Sequence, residues 1–159
     1  MGGSGGSGYV GGMGGVRSYD VVAESAGAPG VVWALLLDVD TWPVWSRVDE
    51  AEDSPGGRVE VGTFRTFRTG KVVTKERITV LEAERRFGYE GVVNPQLTGY
   101  RATVDLTELP NGGTRIRWRG TYTARWGMRW FMKPYLQRYM GSIATGLADH
   151  AARADPRYR

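Results

Sequence analysis

The sequence predicts an α+β fold in which a curved antiparallel sheet of six or seven strands wraps around one long C-terminal α-helix. Three observations carry that expectation. In the last stretch Leu136, Tyr139, Met140, Ile143 and Leu147 recur at i, i+3, i+4 and i+7, the spacing of a helix with one buried stripe. Nothing interrupts this pattern from Pro134 to Ala154, and a proline is tolerated in a first helical turn, so the helix starts near Lys133 and runs for ~30 Å. Between residues 17 and 125 the chain reads mostly as strands, and no other segment is long enough to cover a sheet of that size.

Composition limits what such a fold can do. A chain of 159 residues that is 41% hydrophobic suits a single domain, residues 16–159, with one core and room for one internal cavity. The absence of Cys excludes disulfides, thiolate metal sites and Cys nucleophiles. The longest apolar run, Val31 to Leu37, is seven residues, and the N-terminus shows no signal pattern. A cytoplasmic protein with no integral membrane segment, monomeric or homodimeric, is expected. The formal charge of +4 comes from 21 Lys and Arg against 17 Asp and Glu spread along the chain, which describes a solvated surface and no nucleic-acid partner.

Residues 1–15 are Gly- and Ser-rich with almost nothing to bury, and read as a flexible tail or linker. Arg17 to Ser25 alternates Tyr19, Val21 and Ala23 against Asp20, Val22 and Glu24, a first strand. Pro29 then opens a short helix to Asp38, and a second follows over 41–47 with Trp42 and Trp45 on one face. Asp38 and Asp40 read as capping residues rather than metal ligands, since no third ligand is evident. Residues 49–60 carry acids and then a turn, a solvated edge segment.

Val61 to Arg68 and Lys71 to Glu82 flank Thr69-Gly70, a two-residue hairpin turn. That turn predicts Arg68 opposite Lys71, Phe67 opposite Val72, Arg65 opposite Thr74, Thr63 opposite Glu76 and Val61 opposite Ile78. Arg65 and Glu76 then point to the apolar, concave side as diagonal neighbours. Phe87, Tyr89, Gly91 and Val93 alternate in the next strand. In the last pair, Tyr100, Ala102, Val104 and Leu106 share a face, as do Ile116, Trp118, Gly120 and Tyr122. Burying both faces requires Leu106 beside Ile116 and Val104 beside Trp118, which sets Asp105 and Thr103 against Arg117 and Arg119 outside. The segment holding Arg129, Trp130, Phe131 and Lys133 is amphipathic. It either closes the end of the sheet or touches a membrane or partner surface, and closure is the simpler expectation.

The order of elements, with Val32-Trp33 through Asp38 to Trp42-Pro43 and Trp45, then Gly62-Thr63-Phe64 and Gly113-Thr114-Arg115, resembles the START-like (SRPBCC) superfamily over residues 17 to about 154. More narrowly it resembles the polyketide cyclase/dehydrase branch. The resemblance implies a helix-grip fold with a hydrophobic cavity between sheet and helix. It leaves function open, because ligand carriers, cyclases and aromatases share that fold.

The chemistry on offer is limited. The sole His, His150, lies near the chain's end, so no base is available for a hydrolytic triad, and no metal-ligand spacing occurs. Neither metal nor cofactor is expected. An apolar lining with a few polar groups is how small-molecule sites are built. The expected lining is Tyr19, Trp33, Arg65, Phe67, Thr74, Glu76, Tyr89, Tyr100, Trp118 and Tyr122 from the N-terminal region and sheet, with Tyr139 and Ile143 from the helix. It would enclose ~300–1,000 Å³, the usual range for ligand pockets. The first reading is binding of a hydrophobic small molecule, lipid-like or aromatic and polyketide-like. The alternative is a polyketide cyclase, aromatase or dehydratase in which Arg65 steadies an oxyanion while Glu76 or Tyr100 moves a proton. A third is a ligand-free protein-interaction module, expected if aromatic side chains fill the cavity.

Overall fold

A computed structural model of the chain describes residues 15–124 and 127–159. All of the expected flexible tail except Gly15 lies outside the described residues. The elements are β1 (Arg17–Ser25), α1 (Pro29–Leu37), a 3-10 turn (Val39–Thr41), α2 (Trp42–Trp45), β2 (Glu50–Asp53), β3 (Phe64–Thr69), β4 (Val72–Glu82), β5 (Arg86–Val93), β6 (Leu97–Glu108), β7 (Thr114–Ala124), α3 (Met132–Ala154) and a final 3-10 turn (Pro156–Tyr158). The seven strands form one antiparallel sheet in the order β1-β7-β6-β5-β4-β3-β2. Register shifts along β4 and β5 mark bulges that bend those strands. This is the helix-grip fold.

α3 lies across the concave face and packs chiefly on β1. Its buried stripe is Met132, Leu136, Met140, Ile143, Ala144, Leu147, Ala148 and Ala151. Burial of each large apolar side chain contributes ~1.5–3 kcal/mol. Gly146 lets α2 approach this helix, because a Cβ there would stand 2.0 Å from the Trp45 carbonyl oxygen. Asp38 accepts a 3.2 Å hydrogen bond from the Asp40 amide, the capping role read from sequence. No helix among the described residues is long and apolar enough to cross a membrane.

The β6–β7 register is the expected one, with Leu106 opposite Ile116, Val104 opposite Trp118 and Asp105 opposite Arg117. The arginine stripe is neutralised by other strands as well. Arg117 pairs with Asp20 at 2.6 Å and Arg115 with Glu24 at 2.9 Å, while Asp105 holds both Arg119 and Arg86 at 2.6 Å.

Three local expectations are corrected. The β3–β4 turn is Gly70-Lys71, not Thr69-Gly70, so Thr69 pairs with Val72 and Arg65 stands directly opposite Glu76. Gly70 has φ 59°, and a left-handed first turn residue followed by one at negative φ is the II′ pattern, which puts Gly first. The two-residue slide keeps every side chain on its predicted face. Val61 lies outside β3 and is exposed, because the chain turns at Gly62, and it is the Gly62 amide and the Thr63 carbonyl that bond to Ile78. The acidic segment is not merely solvated edge: Glu50–Asp53 forms strand β2, and Asp53 serves the interior.

Candidate functional site

Two glycines shape the concave surface. Gly91 separates Glu76, its partner across β4–β5, from Tyr100, and a Cβ at Gly91 would meet the Tyr100 Cβ at 3.1 Å. Gly120 lies between β1 and β6, and a Cβ there would fall 2.4 Å from Tyr19 Cε1. The Tyr19 ring therefore crosses over Gly120 to reach Tyr100, and their hydroxyls hydrogen-bond. Tyr89 joins the Tyr100 hydroxyl at 3.1 Å, and Trp118 Nε1–H donates to the Tyr89 oxygen at 3.0 Å. Three phenols share two links, so one phenolic proton is not consumed within the chain.

Beside this chain lies a cavity of about 170 Å³ between sheet and α3. Of the expected lining, Phe67, Thr74, Glu76, Tyr89, Tyr100, Trp118, Tyr139 and Ile143 face it. The volume is below the expected range because Trp42 turns inward and packs on Phe67 and Trp118, with ring centroids 4.9 and 6.1 Å away, while the hydrogen-bonded phenols occupy the remaining depth. The filled interior that would have favoured the third reading is not what the structure has, since a cavity remains.

Tyr19, Trp33, Arg65 and Tyr122 do not line the cavity. Tyr19 acts only through Tyr100. Trp33 packs edge-on against Phe87 at 6.4 Å. Tyr122 is buried, and its hydroxyl has no hydrogen-bond partner among the described residues. Arg65 is the main correction. It is 1% exposed, its Nε donates to Asp53 Oδ1 at 2.8 Å, and its terminal nitrogens donate to the carbonyls of Leu36 and Leu37. Those carbonyls belong to the last turn of α1, which lacks intrahelical donors, so Arg65 caps the helix from the sheet. With each nitrogen engaged, its guanidinium 5.9 Å from the Trp42 ring and 5.4 Å from Phe87, and no part of it in the cavity lining, its charge is committed to the protein.

Glu76 is the opposite case. Its carboxyl faces the cavity and has neither hydrogen-bond nor ion-pair partner among the described residues.

Cavity residues not anticipated are Trp42, Leu97, Tyr135, Leu136 and Met140 among others. The helical ones were findable, since Tyr135, Leu136 and Met140 share the i, i+3, i+4 stripe of Tyr139 and Ile143. Trp42 was not, because its spacing from Trp45 defines a helix face but not whether that face meets core or cavity.

Comparison with known proteins fits this architecture. Residues 17–152 match the family described as polyketide cyclase/dehydrase and lipid transport. The chain belongs to that family. Solved structures similar to this family member include the Zhui aromatase/cyclase from a Streptomyces species (TM-score 0.76, 14% identity, covering 87% of this chain and 95% of that one). Another is the protein XoxI from Bacillus cereus (TM-score 0.71, 20% identity, covering 83% and 93%). A protein from Nitrosospira multiformis is also similar (TM-score 0.67, 15% identity, covering 83% and 94%). At such identities they show the fold alone. No curated protein matches the chain.

The electrostatics of the family member's cavity follow from burial. Burial pushes the Glu76 carboxyl up to about 8 from 4.5, against the opposing pull of the Arg65 charge. Burial likewise raises the phenols of Tyr89 and Tyr100, which stay neutral donors. Burial lowers the Arg65 guanidinium and Asp53 counters it, leaving a cation whose charge is spent on structure. The cavity thus presents an apolar wall, the hydroxyls of Tyr89 and Tyr100, and one carboxyl that exists in both forms near neutral pH.

Proposed function

We propose that this family member binds a small apolar molecule of about one aromatic ring, bearing a polar group, in the cavity between α3 and the sheet. The supporting observation is Glu76: a carboxyl facing an apolar cavity with no protein partner among the described residues is costly unless a ligand or water completes it. The size of the ligand follows from the 170 Å³. An apolar cavity of about 150 Å³ accepts benzene, so one ring fits, whereas a two-chain lipid exceeds the space. Trp42, Phe67 and Ile143 supply apolar contact, and the Tyr100–Tyr89 hydroxyls with Glu76 orient the polar end.

A specific observation also favours the cyclase or dehydratase reading. A carboxyl with a pKa near 8 is suited to take or give a proton at neutral pH. In that reading Glu76 transfers the proton and the Tyr89 or Tyr100 hydroxyl steadies a developing oxyanion, with Arg65 confined to holding the sheet and α1 in place.

Native mass spectrometry of the chain purified without detergent tests the binding reading. The expected result is a bound species of single-ring mass, absent from Ile143→Trp, whose indole occupies the cavity. Retention of the same species by a folded Ile143→Trp chain contradicts it.

A further inference from the structure

We infer that the mouth of the cavity is a docking surface for an anionic lipid bilayer. Sequence favoured burial of the aromatic residues before α3. The structure instead exposes them: Trp130 is 93% exposed and Phe131 53%, and Tyr135 in the first turn of α3 is 47% exposed. Soluble surfaces leave single apolar side chains exposed without consequence, but three exposed aromatics within six residues form a patch. Phe131 and Tyr135 line an outer groove with Arg47, Arg138 and Pro134, and that groove shares Thr69, Tyr135 and Tyr139 with the cavity. Two of the three aromatics therefore stand at the way in, and Trp130 precedes them in the chain.

Charge selects the partner. The residues from 109 to 148 contain no Asp or Glu, and Arg129, Lys133 and Arg138 stand exposed along the patch. Asp49 and Glu50, beside the β3–β4 turn, are engaged by the Gly70 amide and by Arg68. The start of α3 also breaks two local rules: its N-cap, Phe131, makes no side-chain cap hydrogen bond, and no acid occupies its first turn. That end of a helix carries partial positive charge, so Lys133 there is unfavourable for the helix itself. Departures from local rules gather where a surface serves something else. Aromatic rings flanked by Lys and Arg at one rim match a bilayer interface, where the rings enter the headgroup layer and the cations meet anionic lipids. The inference is independent of what the cavity holds.

Cosedimentation of the full chain with vesicles tests it, using phosphatidylcholine alone and phosphatidylcholine with about a third phosphatidylserine. The expected result is binding to the anionic vesicles only, weakened by salt. Trp130→Ser with Phe131→Ser should lower binding at least ~10-fold, and removing Arg129 or Lys133 should lower it about fivefold each. All four positions are exposed, and an unchanged melting temperature confirms that each variant folds. A chain that stays in solution with anionic vesicles, or variants that bind as well as the parent, overturns the inference. Failure to bind vesicles together with saturable binding to an acidic protein would make the rim a protein interface instead.

Discussion

Arg65 and Glu76 stand directly opposite each other on β3 and β4, yet the guanidinium turns away to Asp53 and the end of α1 while the carboxyl is left to the cavity. One cross-strand pair thus separates into a structural residue and a candidate ligand-binding residue.

The separation predicts an asymmetric mutational response. Arg65→Met leaves Asp53 and the Leu37 carbonyl without their Arg65 donor and the Leu36 carbonyl with only the Trp42 indole N–H, and breaking such a buried pair costs about 3–5 kcal/mol. Adding Glu76→Met should contribute no more than Glu76→Met contributes alone, because no hydrogen bond or ion pair joins Glu76 to Arg65. Urea denaturation of both single variants and the double variant near pH 4.5, where Glu76 is protonated, checks this; a coupling energy that cancels most of the Arg65→Met loss would restore a direct Arg65–Glu76 pair.

Glu76 should impose a pH dependence on stability. Between 4.5 and about 8 the folded chain keeps a proton that the unfolded chain has lost, so stability falls as pH rises through that window and is not reduced further above it. Glu76→Gln removes the penalty. Its melting temperature should match the parent near the lower end and exceed it by several degrees at about pH 8, the difference growing steadily between. A difference that stays constant with pH would show that Glu76 ionises normally.

Gly120 should resist even a methyl group. A Cβ there would lie 2.4 Å from Tyr19 Cε1, so Gly120→Ala must displace the ring and break its link to Tyr100. A loss of ~1–3 kcal/mol is expected, as for other overpacked cores. Tyr19→Ala in the same chain should remove most of the additional cost of Gly120→Ala, a coupling readable in a double-mutant cycle.

How much was legible in the sequence follows from what each feature depends on. Period-3.6 and period-2 patterns depend only on which side is buried, so α3, the strand faces and the β6–β7 register could be read directly. The β3–β4 register depends on which position of the turn Gly70 occupies. A two-residue slide there preserves every face while changing every partner, and hydrophobic pattern cannot detect it. The role of Arg65 was hidden for a different reason: its partners, Asp53 and the carbonyls of Leu36 and Leu37, come from segments distant in sequence. Cavity volume depends on the rotamer of Trp42, which packing rather than spacing sets. The exposure of Trp130 ran against a burial expectation that holds for most indoles.

The central claim, that the cavity takes a single-ring ligand, is tested most directly by titrating the chain with a panel of single-ring phenols and aromatic acids while following its tryptophan indole N–H signals by NMR. Trp42 and Trp118 line the cavity, and Trp130 stands outside it as an internal control. At least one compound should shift the Trp42 and Trp118 signals saturably, leave Trp130 unmoved, and bind more weakly to Glu76→Gln and Tyr100→Phe. Shifts confined to Trp130, or an affinity unchanged in both variants, would contradict it.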